Sequence, residues 1–282
     1  MAFQTLVSVA ELAAHLPDAT WRLFDCRHDL TKPETGERAY RAGHIPHAQF
    51  LHIDRDLSGP TTGKNGRHPL PDPAALAATL AGYGVSNDTH VVAYDDAGGM
   101  YAARLWWLLR WLGHNNVAVL DGGLPAWVNA GHALTDQVPP PTPAKFNWRL
   151  SNAPVDVSYV QTHLRQPEML LIDARAPDRF RGENETLDPI AGHIPGAVNR
   201  FFKDNLAADG RFKPPQQLRQ EFSELLRDRR IESVVSQCGS GVTACHTLLA
   251  LEIAGLRGAR LYPGSWSEWF SDARRPIAVG PA

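Results

Sequence analysis

A cysteine at the mouth of a strand-to-helix turn is a place to make a nucleophile. The stretch Cys238-Gly-Ser-Gly-Val-Thr-Ala-Cys245 reads as such a turn, because the apolar run SVVSQ precedes it and HTLLALEIAGL, with helical spacing, follows it. With the strand ending at Cys238 and the helix starting around Val242–Thr243, the backbone N–H groups from Gly239 through Ala244 converge on one point, backed by the positive end of a helix dipole. Gly239 and Gly241 permit the backbone angles that such a cradle requires, and Gly239, Gly241, Val242 and Thr243 are the residues expected to line the bound group. An anionic sulfur at the centre is stabilised, so the thiolate of Cys238 forms more readily than that of an ordinary buried thiol. Cysteine phosphatases use a related cradle but need an arginine six positions after the nucleophile to clamp phosphoryl oxygens, and that position is Ala244 here. A loop of this size without arginine suits a compact anion, such as the outer sulfur of a cysteine persulfide.

The turn belongs to the second of two related halves. LFDCR at 23–27 recurs as LIDAR at 171–175, and AGHIPHA at 42–48 recurs as AGHIPGA at 191–197, at nearly the same offset. HVVAYDDAGGMYAAR answers SVVSQCGSGVTACH, and VLDGGLPAW answers LYPGSWSEW, in the same order. Features present in both halves serve the fold, and features present in one are candidates for chemistry. His44 and His193, both in Gly-His-Ile-Pro, are therefore turn and packing residues, and Asp25 and Asp173 are twins. Cys238 faces Asp95 in the repeat, so only the second half can do sulfur chemistry.

Each half alternates short strand candidates with helices. WRLFDCR, AQFLHI, THVVAYD and NVAVLDG have strand character, whereas VAELAAHL, DPAALAATLAGYG and MYAARLWWLLRWLG have helical periodicity. Ser8 and Glu11 stand at capping-box spacing, and Asp72-Pro73 opens another helix with an N-cap and a proline at its first position. Repeated βα units imply mainly parallel sheets with helices on both faces, which bind ligands beyond the carboxyl ends of their strands. The proline-dense TDQVPPPTPAKFNW predicts an extended connection, with domains over 1–134 and 155–282 joined by a linker at 135–154.

Composition bounds the function. Of the 282 residues 43% are apolar and 21% charged, with a net charge of −2, so no basic field exists to hold a nucleic acid by counterion release. Three cysteines, Cys26, Cys238 and Cys245, are too few and too scattered for a disulfide framework or a four-thiolate zinc site. Cys245, two helical turns beyond Cys238, reads as core packing, and Cys26 has no functional reading. The N-terminus lacks the cationic and uninterrupted apolar regions of a signal peptide, and the most apolar segment is too short to span a bilayer, which together point to a cytoplasmic protein.

With the loop, its aspartate counterpart, both Gly-His-Ile-Pro turns, WWLLRWLGH and GSWSEW in place, the sequence resembles the two-domain sulfurtransferases of the rhodanese superfamily over nearly its whole length. CGSGVTA resembles the 3-mercaptopyruvate sulfurtransferase branch; thiosulfate-preferring members carry arginine and lysine where this chain has Gly239 and Ser240. The resemblance implies two rhodanese-like α/β domains, the second catalytic, and a ping-pong reaction through a persulfide on Cys238. It also implies that Ser240, His68 and Asp54 form a proton relay near the donor. Each is unmatched in the repeat, where Ala97, Phe212 and Lys203 stand. Arg179 matches an arginine that binds the donor's carboxylate or sulfonate. A second arginine found in animal enzymes is replaced by Leu187, leaving Arg181 or Arg104 as substitutes.

The expected function is thus transfer of sulfur from a small-molecule donor, 3-mercaptopyruvate, to cyanide, a small thiol or thioredoxin, without metal, cofactor, nucleic acid or membrane. Thiosulfate:cyanide sulfurtransfer is the alternative within the class. A non-catalytic rhodanese-like binding module is the alternative outside it, and Cys238 argues against that. The asymmetry of the halves has a direct test. Asp95→Cys in a Cys238→Ser background should leave sulfurtransferase activity at the level of Cys238→Ser alone, and substantial turnover would show the two loops to be interchangeable.

Overall fold

The computed structural model describes residues 3–281. The chain forms two compact units. The first runs to Gly59 and takes in Pro71–Asn152 and Ala208–Phe212; the second consists of Pro60–Leu70, Ala153–Ala207 and the chain from Lys213 onward. The division differs from the sequence expectation in two ways. Residues 60–70 belong with the second half although they precede it, and the proline-rich stretch is part of the first unit. Its backbone bonds to that unit at several points, with Thr135 pairing with His44, Ala144 N–H donating to the Ala81 carbonyl and Ser151 N–H to that of Trp111. Proline removes donors from this stretch, but the remaining N–H groups find carbonyls on the unit's surface.

In the first unit the elements are β1 (Leu6–Val7), α1 (Val9–His15), β2 (Trp21–Asp25), α2 (Glu34–Ala42), β3 (Ala48–Phe50), α3 (Pro73–Gly82), β4 (His90–Tyr94), α4 (Ala102–Trp111), β5 (Val117–Leu120) and α5 (Gly123–Asn129). The five strands are parallel in the order β1-β5-β4-β2-β3. The Ser8–Glu11 capping box closes reciprocally at the start of α1, and Asp72 caps α3 as its sequence predicts. Val92, Tyr94, Ala118 and Leu120 of the central strands pack with Ile45 and Trp127 in the core.

The second unit contains α6 (Val157–Thr162), β6 (Leu170–Asp173), α7 (Pro177–Arg181), β7 (Val198–Asn199), α8 (Pro215–Leu226), β8 (Val234–Gln237), α9 (Thr243–Ile253), β9 (Arg260–Leu261) and α10 (Ser265–Trp269). Its four strands are parallel in the order β7-β6-β8-β9. Strand β8 is wholly buried, its polar Ser236 and Gln237 included, as a central strand of a parallel sheet is. Asp173 and Gln237 are register partners, so β6 and β8 end side by side and release their following loops together. Trp266, Trp269 and Ile194 are fully buried in this unit's core, and Phe180 nearly so.

The repeated motifs meet in space within each unit. At the end of β2, Arg27 grips Asp25 through Nε and Nη2 at 2.7–3.1 Å and donates from Nη2 to the Gly43 carbonyl at 2.7 Å. At the end of β6, Arg175 grips Asp173 at 2.7–3.1 Å and reaches the Gly192 carbonyl at 2.8 Å. Each fork thereby ties a strand end to the Gly-His-Ile-Pro turn. The histidines finish the job: His44 Nδ1 bonds the Tyr40 carbonyl and stacks on Tyr40, and His193 Nδ1 bonds the Phe180 carbonyl and stacks on Phe180. These are the turn and packing roles expected from their duplication. Because the Asp25 carboxylate is fully buried, Arg27→Met should destabilise the first unit by about 3–5 kcal/mol, the penalty for stranding a buried charge. The check is a denaturant titration, in which an unchanged midpoint would make the pair dispensable.

Candidate active site

The loop after β8 is held from below by its own helix and from the side by α10. Helix α9 begins at Thr243, with Val242 as its N-cap residue, at the position read from the sequence. The first N–H groups of α10 point at the loop: Trp266 N–H donates to the Cys238 carbonyl at 3.0 Å and Ser267 N–H to the Gly239 carbonyl at 2.9 Å. Ser265 Oγ accepts from Cys238 N–H at 3.1 Å and donates to the Tyr262 carbonyl. This is the work of GSWSEW, a motif that the sequence marks as shared without saying what it holds. The thiol itself is buried, and its Sγ accepts the Gly241 N–H at 3.1 Å.

The two glycines have different jobs. Gly241 has φ +79°, and a Cβ there would lie 2.4 Å from the Pro263 carbonyl oxygen, so both conformation and space require glycine. Gly239 has ordinary backbone geometry, contrary to the expectation that both are needed for unusual angles. A Cβ on it would instead stand 2.9 Å from Arg67 Nη2 and 3.6 Å from Arg179 Nη2. Its missing side chain leaves room for guanidinium groups beside the residue that follows Cys238. Val242 and Thr243 are buried at the helix start, as the cradle needs.

Ser240 and His68 come together: His68 Nδ1 lies 2.7 Å from Ser240 Oγ, and both residues are buried. The segment that delivers His68 is pinned to α10. Gly66 has φ +85° and no room for a Cβ against the Gly264 carbonyl, and Arg67 N–H donates to Ser267 Oγ at 3.0 Å. Asp54 belongs to the first unit, where its half-exposed carboxylate lies 3.9 Å from His28 Nε2 and 3.8 Å from His52 Nδ1.

Arg179 sits in a chain of ion pairs. Glu185 accepts from its Nε and Nη2 at 2.8–3.1 Å, Asp188 accepts from Nη2 at 3.1 Å, and Glu185 also lies 3.6 Å from Arg175 Nη1. Asp188 is in turn ion-paired with Arg67. Three arginines, 67, 175 and 179, are thus matched by three buried carboxylates, 173, 185 and 188. Of the two other arginines considered from sequence, Arg181 is engaged by Glu183 at the surface, and Arg104 is buried in the first unit and donates to the Leu57 carbonyl. Arg67 escaped sequence reasoning; its only signal was its place before His68 in GRHPLP.

The other thiols are built differently. Cys245 is buried and donates to the Gly241 carbonyl at 3.3 Å, a packing role that also supports the loop. Cys26 is buried in the first unit, where desolvation, followed by the charges of Asp25 and Asp95, pushes its thiol pKa well up and keeps it protonated. The first-unit counterpart of the catalytic loop is filled by its own side chain. Asp95 accepts from the N–H groups of Ala97, Gly99, Tyr101 and Ala102 at 2.7–2.9 Å. Burial pushes its carboxyl pKa up, and these four donors pull against that. The loop of the first unit is a cradle with its anion covalently installed.

The chain, with a buried cysteine in the loop of one half and a carboxylate in the same loop of the other on two parallel sheets, is matched by a family model described as a rhodanese-like domain at residues 8–130 and again at 156–272. The chain belongs to the rhodanese family. Among the curated relatives of this rhodanese-family chain, a Pseudomonas aeruginosa protein named probable 3-mercaptopyruvate sulfurtransferase is 51% identical, covering 99% of this chain and 100% of its own length. A Mycobacterium tuberculosis protein named putative thiosulfate sulfurtransferase is 41% identical over 99% and 98% of the two chains. Among solved structures, an Escherichia coli 3-mercaptopyruvate sulfurtransferase superposes with a TM-score of 0.80 at 32% identity, covering 94% of this chain and 99% of that one. The protein is a sulfurtransferase, and among its described residues no helix is long and apolar enough to cross a membrane. The loop geometry gives a direct test. Gly241→Ala should cost about 2–3 kcal/mol of stability in a thermal or denaturant melt, from a left-handed conformation and a backbone clash, and should slow sulfur loading of Cys238. A variant as stable and as active as wild type would show that the Pro263 contact is not needed.

Proposed function

We propose that the protein takes its sulfur from 3-mercaptopyruvate and carries it as a persulfide on Cys238. The observation that supports this donor is the 2.7 Å contact between His68 and Ser240, one residue removed from the Gly239 carbonyl that α10 holds. Mercaptopyruvate brings a thiol proton that must leave sulfur and reach carbon; thiosulfate brings none. The Cys238 thiolate attacks the donor sulfur, the donor's C–S bond breaks, and its electron pair passes to pyruvate enolate. The Ser240–His68 pair takes the thiol proton and returns it to the enolate carbon, so that pyruvate leaves. The outer sulfur remains on Cys238, whose own Sγ accepts the Gly241 N–H at the loop before α9, until a thiol, cyanide or thioredoxin thiolate removes it and regenerates Cys238. Arg179 binds the donor's carboxylate, since its fork matches a planar anion.

Thiosulfate is the second reading, favoured by the two guanidinium groups beside Gly239 and by the name of the Mycobacterium relative. The balance of three arginines against three carboxylates weakens it, because a dianion gains most from an excess of positive charge. The deciding experiment compares kcat/KM for the two donors with cyanide as common acceptor. Mercaptopyruvate should be preferred. Cys238→Ser should abolish turnover and the gain of one sulfur atom per chain, and His68→Ala should lower the mercaptopyruvate rate by about 10²-fold or more while affecting thiosulfate less. A wild-type preference for thiosulfate, or equal losses with both donors in His68→Ala, overturns the donor assignment.

A further inference from the structure

At the amino ends of its strands the first unit seats a piece of its own chain. Gln49 of β3 donates from Nε2 to the Pro139 carbonyl at 3.0 Å, and Arg22 of β2 donates from Nη2 to Thr142 Oγ1 at 3.2 Å. Ala144 N–H donates to the Ala81 carbonyl of α3 at 2.8 Å. Gly84, left-handed at φ +88°, lets the backbone approach the Thr142 carbonyl, where a Cβ would stand 2.7 Å away. A proline-rich stretch suits this seat, because the groove addresses it mainly through its oxygens and prolines bring no N–H to satisfy.

The second unit has a groove of about 500 Å³ at the corresponding place, and no counterpart of that segment lines it among the described residues. The repeat supplies its walls position by position. HLPDATWR answers HLRQPEML, so Arg165 stands for Pro17 and Leu170 for Arg22. The Gly-His-Ile-Pro turns put Gly196 for His47 and Val198 for Gln49. Arg227, left-handed at the end of α8, answers Gly84 at the end of α3, and Glu224 answers Ala81. All six line the groove, together with Arg229. Three arginines therefore face one carboxylate, Glu224, which accepts from Gln220; the neighbouring Glu168 and Asp228 do not line the groove. The guanidinium groups of Arg165, Arg227 and Arg229 have no ion-pair or hydrogen-bond partner among the described residues.

Two of these arginines also hold unfavourable backbone. Arg165 has φ +60°, and Arg227 has φ +53° and ψ −121°, a region nearly reserved for glycine. Since glycine fills the repeat position of Arg227, the fold itself needs no side chain there. What arginine adds is a cation on the groove wall.

We propose that this groove docks an extended acidic segment of a partner protein, laid along the second unit as residues 139–144 lie along the first. Carboxylates of the segment pair with Arg165, Arg227 and Arg229, and prolines within it keep the chain extended beforehand, so docking orders it little further. The groove is at the amino ends of β6 and β7, whereas Cys238 follows the carboxyl end of the parallel strand β8. A docked segment thus holds its protein at the far end of the unit and leaves the nucleophile unobstructed.

The test uses the full chain and a fluorescein-labelled peptide of alternating glutamate and proline, followed by fluorescence anisotropy at low ionic strength. Wild type should bind the peptide, with affinity falling as salt is added. The double variant Arg165→Gln, Arg229→Gln should weaken binding about tenfold or more. Arg227→Gly should weaken it as well while raising the thermal midpoint, because backbone strain and charge are removed together. Both variants should keep the wild-type kcat/KM for sulfur transfer, and a glutamine–proline analogue should bind at least about tenfold more weakly than the acidic peptide. Failure of the acidic peptide to bind, equal binding by the arginine variants, or equal binding of the neutral analogue overturns the proposal. Binding of inorganic phosphate or ATP at these arginines without binding of the peptide overturns it too, and makes the groove a small-anion site.

Discussion

The interaction on which the rest depends is the buried fork between an aspartate at a strand end and the arginine two residues later. A buried ion pair is stable only when its remaining donors and acceptors are engaged, and here the arginine's outer nitrogen is completed by a glycine carbonyl of the Gly-His-Ile-Pro turn. That requirement couples the end of the sheet to the turn in both units. In the second unit the coupling continues outward from Arg175 through Glu185 to Arg179, and through Asp188 to Arg67. The charges beside the nucleophile are thus the end of a network that begins as a fold element. The arginine forks beside Cys238 are therefore oriented in advance by their ion pairs, so an anion that meets them has little ordering left to impose.

The two units show one fold holding different groups in the same loop. In both, a parallel strand runs into a loop that leads into a helix. In the first unit the loop is satisfied permanently by Asp95, with four N–H donors on one carboxylate. In the second the corresponding position is Cys238, whose Sγ accepts the N–H of Gly241. Loops that bind a transient anion cannot carry a permanent one. A thiol at Cys238 and none at Asp95 is what separates the halves chemically, while the forks, turns and tryptophan-rich cores are common to both.

Helix α10 is short, yet it organises the site. Its N–H groups bind the loop from the side, its Ser265 hydroxyl bridges Cys238 N–H to the Tyr262 carbonyl, and its Ser267 hydroxyl receives the backbone of residue 67. One rigid element therefore sets the relative positions of the nucleophile, the His68 ring and the Arg67 fork. This is the preorganisation that makes electrostatic stabilisation effective, since donors fixed in advance need no rearrangement as charge moves.

Much of this was legible in the sequence because it rests on local pattern. Periodicity gave the alternating strands and helices, the capping box at Ser8 and Glu11 closed as spaced, and the internal repeat separated fold residues from Cys238 without any outside comparison. The pairing of Ser240 with His68, which are 172 residues apart, came from resemblance, and the structure places them in contact. What sequence could not convey was membership: residues 60–70 lie in the first half by chain order and in the second unit by packing. Arg67 was invisible for that reason, as were its approach to Gly239 and the ion pairs that Asp188 makes with Arg67 and Arg179. Local propensity and spacing determine which elements form and which residue types are available. Which side chains share a buried charge network is decided only when the chain has folded and each desolvated charge has had to find its partners.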